Sequence, residues 1–179
     1  MLSNQENIKK YLESVIRTIP DFPKPGIQFK DITTLLNDKK ALKLTTLALS
    51  NPFQEVDCDI VVGLESRGFL FGTNLAEALN ASFVPVRKPG KLPAETISES
   101  YELEYGVDSL EIHKDAIKKG DKVLIHDDLI ATGGTALAAS KLIERLGGEI
   151  IGYSFIIELS FLKGRAKLSN NKVESILIM

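Results

Sequence analysis

Asp127 and Asp128 stand side by side in VLIHDDLIATGGTA (123–136), just ahead of small and hydroxylated residues and then an apolar helical period. Small residues at 131–135 (Ala131, Thr132, Gly133, Gly134, Thr135) let backbone N–H groups come close to a ligand. Thr132 and Thr135 add hydroxyl donors, and the following helix presents the positive end of its dipole. Such a loop suits a phosphomonoester. The carboxylates upstream would repel a bare phosphate, but they accept hydrogen bonds from vicinal hydroxyls or approach a metal ion carried by the ligand. A diol at one end and a phosphate at the other describe ribose 5-phosphate. A Walker loop needs GK[ST] after its glycines and a dinucleotide turn needs GxGxxG, and the stretch has neither. The plainer alternative, a strand ending in acids and a helix starting on glycines, leaves their pairing unexplained.

The chain has 179 residues, 44% hydrophobic and 26% charged, which fits one globular domain over 1–179 with a single core. A formal charge of −2 and a pI near 5.8 argue against nucleic-acid and anionic-membrane partners. Cys58 is the one cysteine, so no internal disulfide forms. No apolar run reaches the roughly 18 residues of a membrane span, and the N-terminus lacks the apolar stretch of a secretory signal. A cytoplasmic protein is expected.

These residues need a scaffold. Ser3 followed by Glu6 reads as a capping box for an amphipathic helix carrying Ile8, Tyr11, Leu12, Val15 and Ile16 and ending before Pro20. DFPKPGIQFKDI (21–32) reads as a proline-stiffened, partly apolar loop. Asp38 is placed to cap a second helix through Leu49. Strands are expected at 59–63, 82–87, 122–126, 150–158 and 173–178, helices at about 69–79 and 134–146, and a polar hairpin or flap at 92–113 turning at Gly106. Alternating strands and helices imply an α/β fold with a central parallel sheet flanked by helices, its ligands at the carboxyl ends of the strands.

VLIHDDLIATGGTA closely resembles the phosphoribosyl-diphosphate (PRPP) signature of type I phosphoribosyltransferases: an apolar strand, two acids, a short gap, then TGGT. FPKPGIQFKDIT (22–33), GLESRGFLFG (63–72) and KLPAETISESYELEYGVDSLEIH (91–113) resemble, in order and spacing, blocks of the adenine branch of that family. With ELSFLKGRAKL (158–168), the resemblance runs from about residue 20 to the C-terminus. It implies the type I phosphoribosyltransferase fold, with residues 1–33 as a small N-terminal hood and 92–113 as the catalytic flap. It also implies transfer of the phosphoribosyl group from PRPP to N9 of adenine, giving AMP and diphosphate, with Mg²⁺ bound through the substrate and no metal held by a protein cluster.

On the same resemblance, Asp127 and Asp128 hold the ribose hydroxyls, and Ala131 to Thr135 cradle the 5′-phosphate. Ser66 and Arg67 of the ESRG turn, with Arg87, Lys88 and Lys91, meet the diphosphate, for which a guanidinium fork and flexible ammoniums are suited. On composition alone RKPGK (87–91) reads equally as a solvated basic turn. Glu104 takes the N9 proton as general base, and Arg67 is the second catalytic residue. Without the resemblance, Glu99, Glu102 and Glu104 look equivalent. Tyr101 and Tyr105 pack on the substrate as the flap shuts. Adenine lies against Phe29, its edge read by backbone groups of Gln28 and Lys30. A homodimer is implied too.

Three residues depart from the family pattern. Lys30 stands where arginine is more frequent, Glu65 sits at a variable turn position, and His126 directly precedes the acids. His126 and His113 read as strand residues without proton-carrying roles, and Cys58 as a packing residue. Two other functions stay open: the same chemistry on hypoxanthine, guanine, xanthine or orotate, and a non-catalytic PRPP-sensing regulator.

Overall fold

A computed structural model describes residues 2–102, 106–168 and 170–179. In chain order the elements are α1 (Leu2–Val15), β1 (Arg17–Pro20), β2 (Gln28–Asp31), α2 (Thr33–Asn37), α3 (Lys39–Ser50), β3 (Ile60–Leu64), α4 (Gly68–Ala78), β4 (Ser82–Val86), β5 (Thr96–Glu102), β6 (Val107–His113), β7 (Lys122–Ile130), α5 (Gly134–Leu146), β8 (Glu149–Glu158) and β9 (Val173–Ile178). The chain divides into two compact units, Met1–Ala48 and Leu49–Met179. No described helix is long and apolar enough to cross a membrane.

In the first unit the sequence expectation needs correcting. α1 stops at Val15, and its span includes Ser3, so that residue is not the N-cap. Arg17–Pro20 then pairs antiparallel with Gln28–Asp31, in register Arg17 opposite Asp31. Thr18 and Ile19 are β-branched and favour an extended chain, and the expected loop supplies the partner strand. Asp31 ties this hairpin to α2. One carboxylate oxygen accepts from the Thr33 amide and hydroxyl at 2.9 and 2.6 Å, and the other accepts from Arg17 Nε at 3.1 Å. The Thr33 hydroxyl and the Arg17 guanidinium hold the Asp31 carboxyl down at about 2. Asp38 caps α3 as expected, accepting from the amides of Lys40 and Ala41, both at 2.8 Å, while Tyr11 donates to its second oxygen at 3.0 Å.

The second unit is built on a five-stranded parallel sheet of order β4-β3-β7-β8-β9. β3 is apolar and buried along its whole length, as a central parallel strand requires. Val62, Leu64, Ile125, Ala139, Leu142 and Phe155 belong to the core. From β3 the chain steps outward to β4, and from β7 it steps the other way to β8 and β9. The direction of winding therefore reverses between β3 and β7, and a crevice opens at the carboxyl ends of these strands. β7 runs on to Ile130, past the expected end at 126. Asp127, Leu129 and Ile130 stay in register with Phe155, Ile157 and Glu158, so the acids lie within the sheet and not after it.

α5 spans 134–146 as the apolar period predicts, with Gly133 and Gly147 at its ends in the left-handed conformation. β5 and β6 form the expected antiparallel hairpin, from Thr96 opposite His113 to Glu102 opposite Val107. Its root is joined to the end of β4, because Arg87 and Glu111 exchange two main-chain hydrogen bonds at 2.9 and 2.7 Å.

Asp38→Ala removes the α3 cap and is expected to lower unfolding free energy by about 1 kcal/mol, whereas Asp38→Ser keeps most of it. Urea titration of both variants beside Tyr11→Phe separates the cap from the phenol contact.

Candidate active site

The carboxyl ends of β3 and β7 carry complementary charge. After β3 the chain turns through Glu65, Ser66 and Arg67 into α4, and the Glu65–Ser66 peptide is cis. The turn lies hard against β7: a Cβ on Gly68 would sit 2.8 Å from the His126 carbonyl oxygen and 3.0 Å from Asp127 Oδ1. This contact brings Arg67 Nε to 3.2 Å from Asp128 Oδ2. Asp127 Oδ1 accepts from the Asp128 amide at 2.8 Å. The Asp128 side chain is buried, and its Oδ2 accepts no aligned hydrogen bond from a described residue. Burial pushes the Asp127 carboxyl well above the usual carboxylate range, and the charge of Asp128 adds to the rise. Burial raises Asp128 too, opposed by the Arg67 guanidinium. Two carboxylates held in so dry a corner suit a polyhydroxyl ligand that donates hydrogen bonds as it binds.

Beyond Ile130 the backbone curls through Ala131 and Thr132 to Gly133, whose φ of +77° is the left-handed value glycine adopts readily. The first helical hydrogen bond of α5 runs from the Leu137 amide to the Gly133 carbonyl at 3.0 Å. The amides of Gly134, Thr135 and Ala136 accordingly lack partners within the helix and form an anion cradle at its positive end. The acids and this cradle share one strand-to-helix turn, as the sequence implies.

The basic turn is organised by a residue to which the sequence reading gave no role. Glu65 accepts from Arg87 Nε at 3.2 Å, from Lys91 Nζ at 2.6 Å and from the Lys88 amide at 2.7 Å, while only 8% of its side chain is exposed. Burial would raise its carboxyl, but Lys91, the Lys88 amide and Arg87 outweigh burial and hold it below the ordinary value. Glu65 thus gathers Arg87 and Lys91 beside the turn that carries Arg67. Lys88 turns to the flap, where its ammonium meets Asp108, and Tyr101 donates to the same carboxylate at 3.3 Å. The one cue in the sequence was the acid that opens ESRG, and its partners lie more than twenty residues away.

The hairpin also reaches α5, where Glu99 accepts from Lys141 at 3.0 Å and Arg145 donates to the Ser98 carbonyl at 2.8 Å. A cleft of about 480 Å³ lies between them, lined by Tyr101, Val107 and Gly134 among others. Glu104 and Tyr105 lie outside the described residues.

The expected base-binding residues lie in the first unit, on β2. Phe29 meets Phe22 edge to face, with ring centroids 5.1 Å apart, and Phe22 is 49% exposed. The pair leaves an apolar ring partly open to solvent on this hairpin. Lys30 Nζ donates to Thr18 Oγ1 at 3.0 Å, so this side chain is engaged within the hairpin.

His126 is fully buried, beyond the half-burial expected of it. Its Nδ1 donates to the Ser154 carbonyl at 2.9 Å, and burial pulls the imidazole down to about 4. A ring so enclosed is neutral and structural. His113 accepts from the Ala94 amide at 3.4 Å. Burial pushes the Cys58 thiol up to about 11, which makes it a poor nucleophile.

Among the described residues no three His, Cys, Asp or Glu side chains converge on a metal position. The Asp127–Asp128 pair, with the unsatisfied Oδ2 of Asp128, suits a divalent ion that brings most of its oxygen ligands on a bound phosphate ester or as water.

The chain matches the phosphoribosyl transferase domain family over residues 32–174. It is 59% identical over 165 residues to the adenine phosphoribosyltransferase of Clostridium novyi, covering 92% of this chain and 96% of that one. The crystal structure of adenine phosphoribosyltransferase from Rhodothermus marinus superposes with a TM-score of 0.93 at 55% identity, covering 97% of this chain and 99% of the other. The Saccharomyces cerevisiae adenine phosphoribosyltransferase, solved with an imino-altritol bisphosphate and adenine, gives a TM-score of 0.91 at 46% identity, covering 96% and 99%.

Asp127 has a raised folded-state pKa, so its ionised form works against the fold at neutral pH. This cost is absent below its unfolded value of about 3.9 and grows as pH rises. Asp127→Asn is expected to add about 1 kcal/mol to stability at pH 7, with the gain shrinking toward pH 4, while binding of a ribose phosphate weakens. Thermal melts across this range, with AMP titrations, check both. Glu65→Gln leaves the basic turn unheld, and loss of a charge-assisted contact costs about 2 kcal/mol. Chemical denaturation is expected to record that loss, and calorimetry a weaker affinity for inorganic diphosphate.

Proposed function

The chain belongs to the adenine branch of the phosphoribosyl transferase family, and from that premise we propose that it transfers the 5-phosphoribosyl group of PRPP to N9 of adenine, giving AMP and diphosphate. One observation carries the reading. Asp127 and Asp128 stand on the strand that runs into the cradle of 131–135, and Arg67 of the neighbouring turn lies 3.2 Å from Asp128. Diol acceptors, phosphate amides and a diphosphate cation thus converge where the sheet reverses its winding.

The reaction divides among these groups. Amides of 131–135 and the hydroxyls of Thr132 and Thr135 bind the 5′-phosphate. Asp127 and Asp128 accept from the ribose hydroxyls, which offsets the cost that burial places on their ionised forms. Ser66, Arg67, Arg87, Lys88 and Lys91 receive the diphosphate as the bond from C1′ to its oxygen breaks. Positive charge develops on the ribosyl ring in an oxocarbenium-like transition state, and the lone pair of adenine N9 closes the new bond from the opposite face. Phe29 backs the purine and main-chain groups of Gln28 and Lys30 read its edge. Glu104 accepts the N9 proton, an assignment supported by the family resemblance. Tyr101 and Tyr105 belong to the flap that keeps water from the ring. Asp127 and Asp128 are the residues that would hold a magnesium ion carried on PRPP, and the ion would supply charge neutralisation at the diphosphate.

Residues 1–179 work as one phosphoribosyltransferase domain, with 1–33 serving the base and 92–113 serving as the flap. Two copies pair as a homodimer, a reading the family resemblance supports, and the lone Cys58 fits a cytoplasmic setting.

Initial rates with PRPP, Mg²⁺ and each of adenine, hypoxanthine, guanine, xanthine and orotate test the assignment. Adenine is expected to be consumed fastest, and faster turnover of any other base overturns the choice of substrate. In the same assay Glu104→Gln is expected to lower kcat by about 10² or more with KM for PRPP little changed, since a positioned general base contributes on that scale. An unaltered kcat removes Glu104 as the base.

A further inference from the structure

The cradle of 131–135 is not self-supporting. A segment some thirty residues downstream lies directly against its backbone. A Cβ built on Gly164 would fall 2.2 Å from the Ala131 carbonyl oxygen and 2.8 Å from the Gly133 amide nitrogen. The contact is reciprocal, since a Cβ on Gly133 would fall 2.5 Å from the Gly164 carbonyl oxygen. Two stretches of bare main chain touch here, and neither leaves room for a methyl group. Nothing softer than backbone could give way.

The downstream segment is itself clamped. After β8 the chain makes a short 3-10 turn at Ser160–Leu162, then reverses at Lys163, whose φ of +54° is left-handed. This reversal delivers Gly164 to the cradle. The next residue, Arg165, reaches back to Glu158 at the end of β8, donating from Nε at 2.9 Å and from Nη2 at 2.6 Å, and it also donates to the Val173 carbonyl of β9. Ser175 donates to the same carboxylate at 2.8 Å. Glu158 is 6% exposed while the Arg165 side chain stays 41% exposed, so the acid end of the bridge is enclosed and the planar fork fixes the geometry on it.

We propose that Gly164, fixed by the Glu158–Arg165 bridge, is a positioning residue for the 5′-phosphate: it sets the height of the Ala131–Gly133 backbone and so aims the amides at the anion. The inference rests on the reading of 131–135 as the phosphate cradle. Gly164 touches no substrate. It acts through main-chain contact, and its effect is confined to ligands that carry the 5′-phosphate. Inorganic diphosphate, held at the other end of the sugar site by 65–67 and 87–91, does not sense it.

The full-length Gly164→Ala variant tests this. AMP and inorganic diphosphate are titrated separately by calorimetry, with kinetics in each substrate and a melting curve alongside. Displacing a positioned group by on the order of 1 Å costs up to about 10²-fold, so AMP affinity is expected to fall about tenfold to a hundredfold and KM for PRPP to rise in parallel. Diphosphate affinity and KM for adenine are expected to stay within about twofold, a split that general loosening of the fold does not produce. If the alanine variant fails to fold, Arg165→Lys, which removes the planar fork without adding an atom to the contact, is expected to reproduce the split at smaller amplitude. Folded Gly164→Ala that binds AMP as tightly as the parent overturns the inference, as does equal loss of AMP and diphosphate binding in either variant. A parent chain that binds diphosphate but not AMP overturns the cradle reading itself, and the two failures are thereby told apart.

Discussion

Asp127 and Asp128 occupy a strand flanked on both edges by other strands, where burial opposes the ionisation of both and the charge of Asp128 adds to the penalty on Asp127. Little nearby offsets that cost: Arg67 approaches one oxygen of Asp128, and a backbone amide serves Asp127. The surroundings follow from this constraint. The turn after β3 must come close enough to bring Arg67 in, which Gly68 permits. The helix after β7 must start at once, so that its amides face the anionic end of any sugar whose hydroxyls satisfy the acids. The charges that weaken the fold are thereby the ones left open to a ligand that donates hydrogen bonds.

The cationic side obeys the converse rule. Arg87 and Lys91 would repel one another if gathered unassisted, and Glu65 offsets that repulsion from within the fold. An internal carboxylate in this role keeps the cations together before any anion arrives, so less ordering is left for the binding step. It also limits the net positive charge that a departing anion must leave behind. A single buried acid thus fixes where the cations of this turn stand.

How much of this could be read from the chain depended on how local the cause was. β3 and β9, α5 and the β5–β6 hairpin were legible because apolar runs, an apolar period between glycines and a Gly106 turn are written in consecutive residues. The acid pair and its phosphate turn were legible for the same reason. β1 was not, because RTIP is four residues long, ends in proline and is a strand only by virtue of β2 across from it. β7 seemed to end at the acids because charge interrupts an apolar run, whereas pairing with β8 carries it on to Ile130. Glu65 and Gly164 escaped notice on equal terms, since each acts on residues distant in sequence that only the finished sheet brings alongside.

The main-chain bonds between Arg87 and Glu111 join the hairpin's root to the segment bearing the cations. Each strand of the hairpin spans seven residues, roughly 20 Å at about 3.3 Å per residue, and Lys141 and Arg145 of α5 hold it along the way through Glu99 and the Ser98 carbonyl. Arg87 is tethered twice, its amide to the hairpin strand and its guanidinium to Glu65. Backbone and side chain of a single amino acid thus join the hairpin to the turn after β3, and a shift of either is felt by the other.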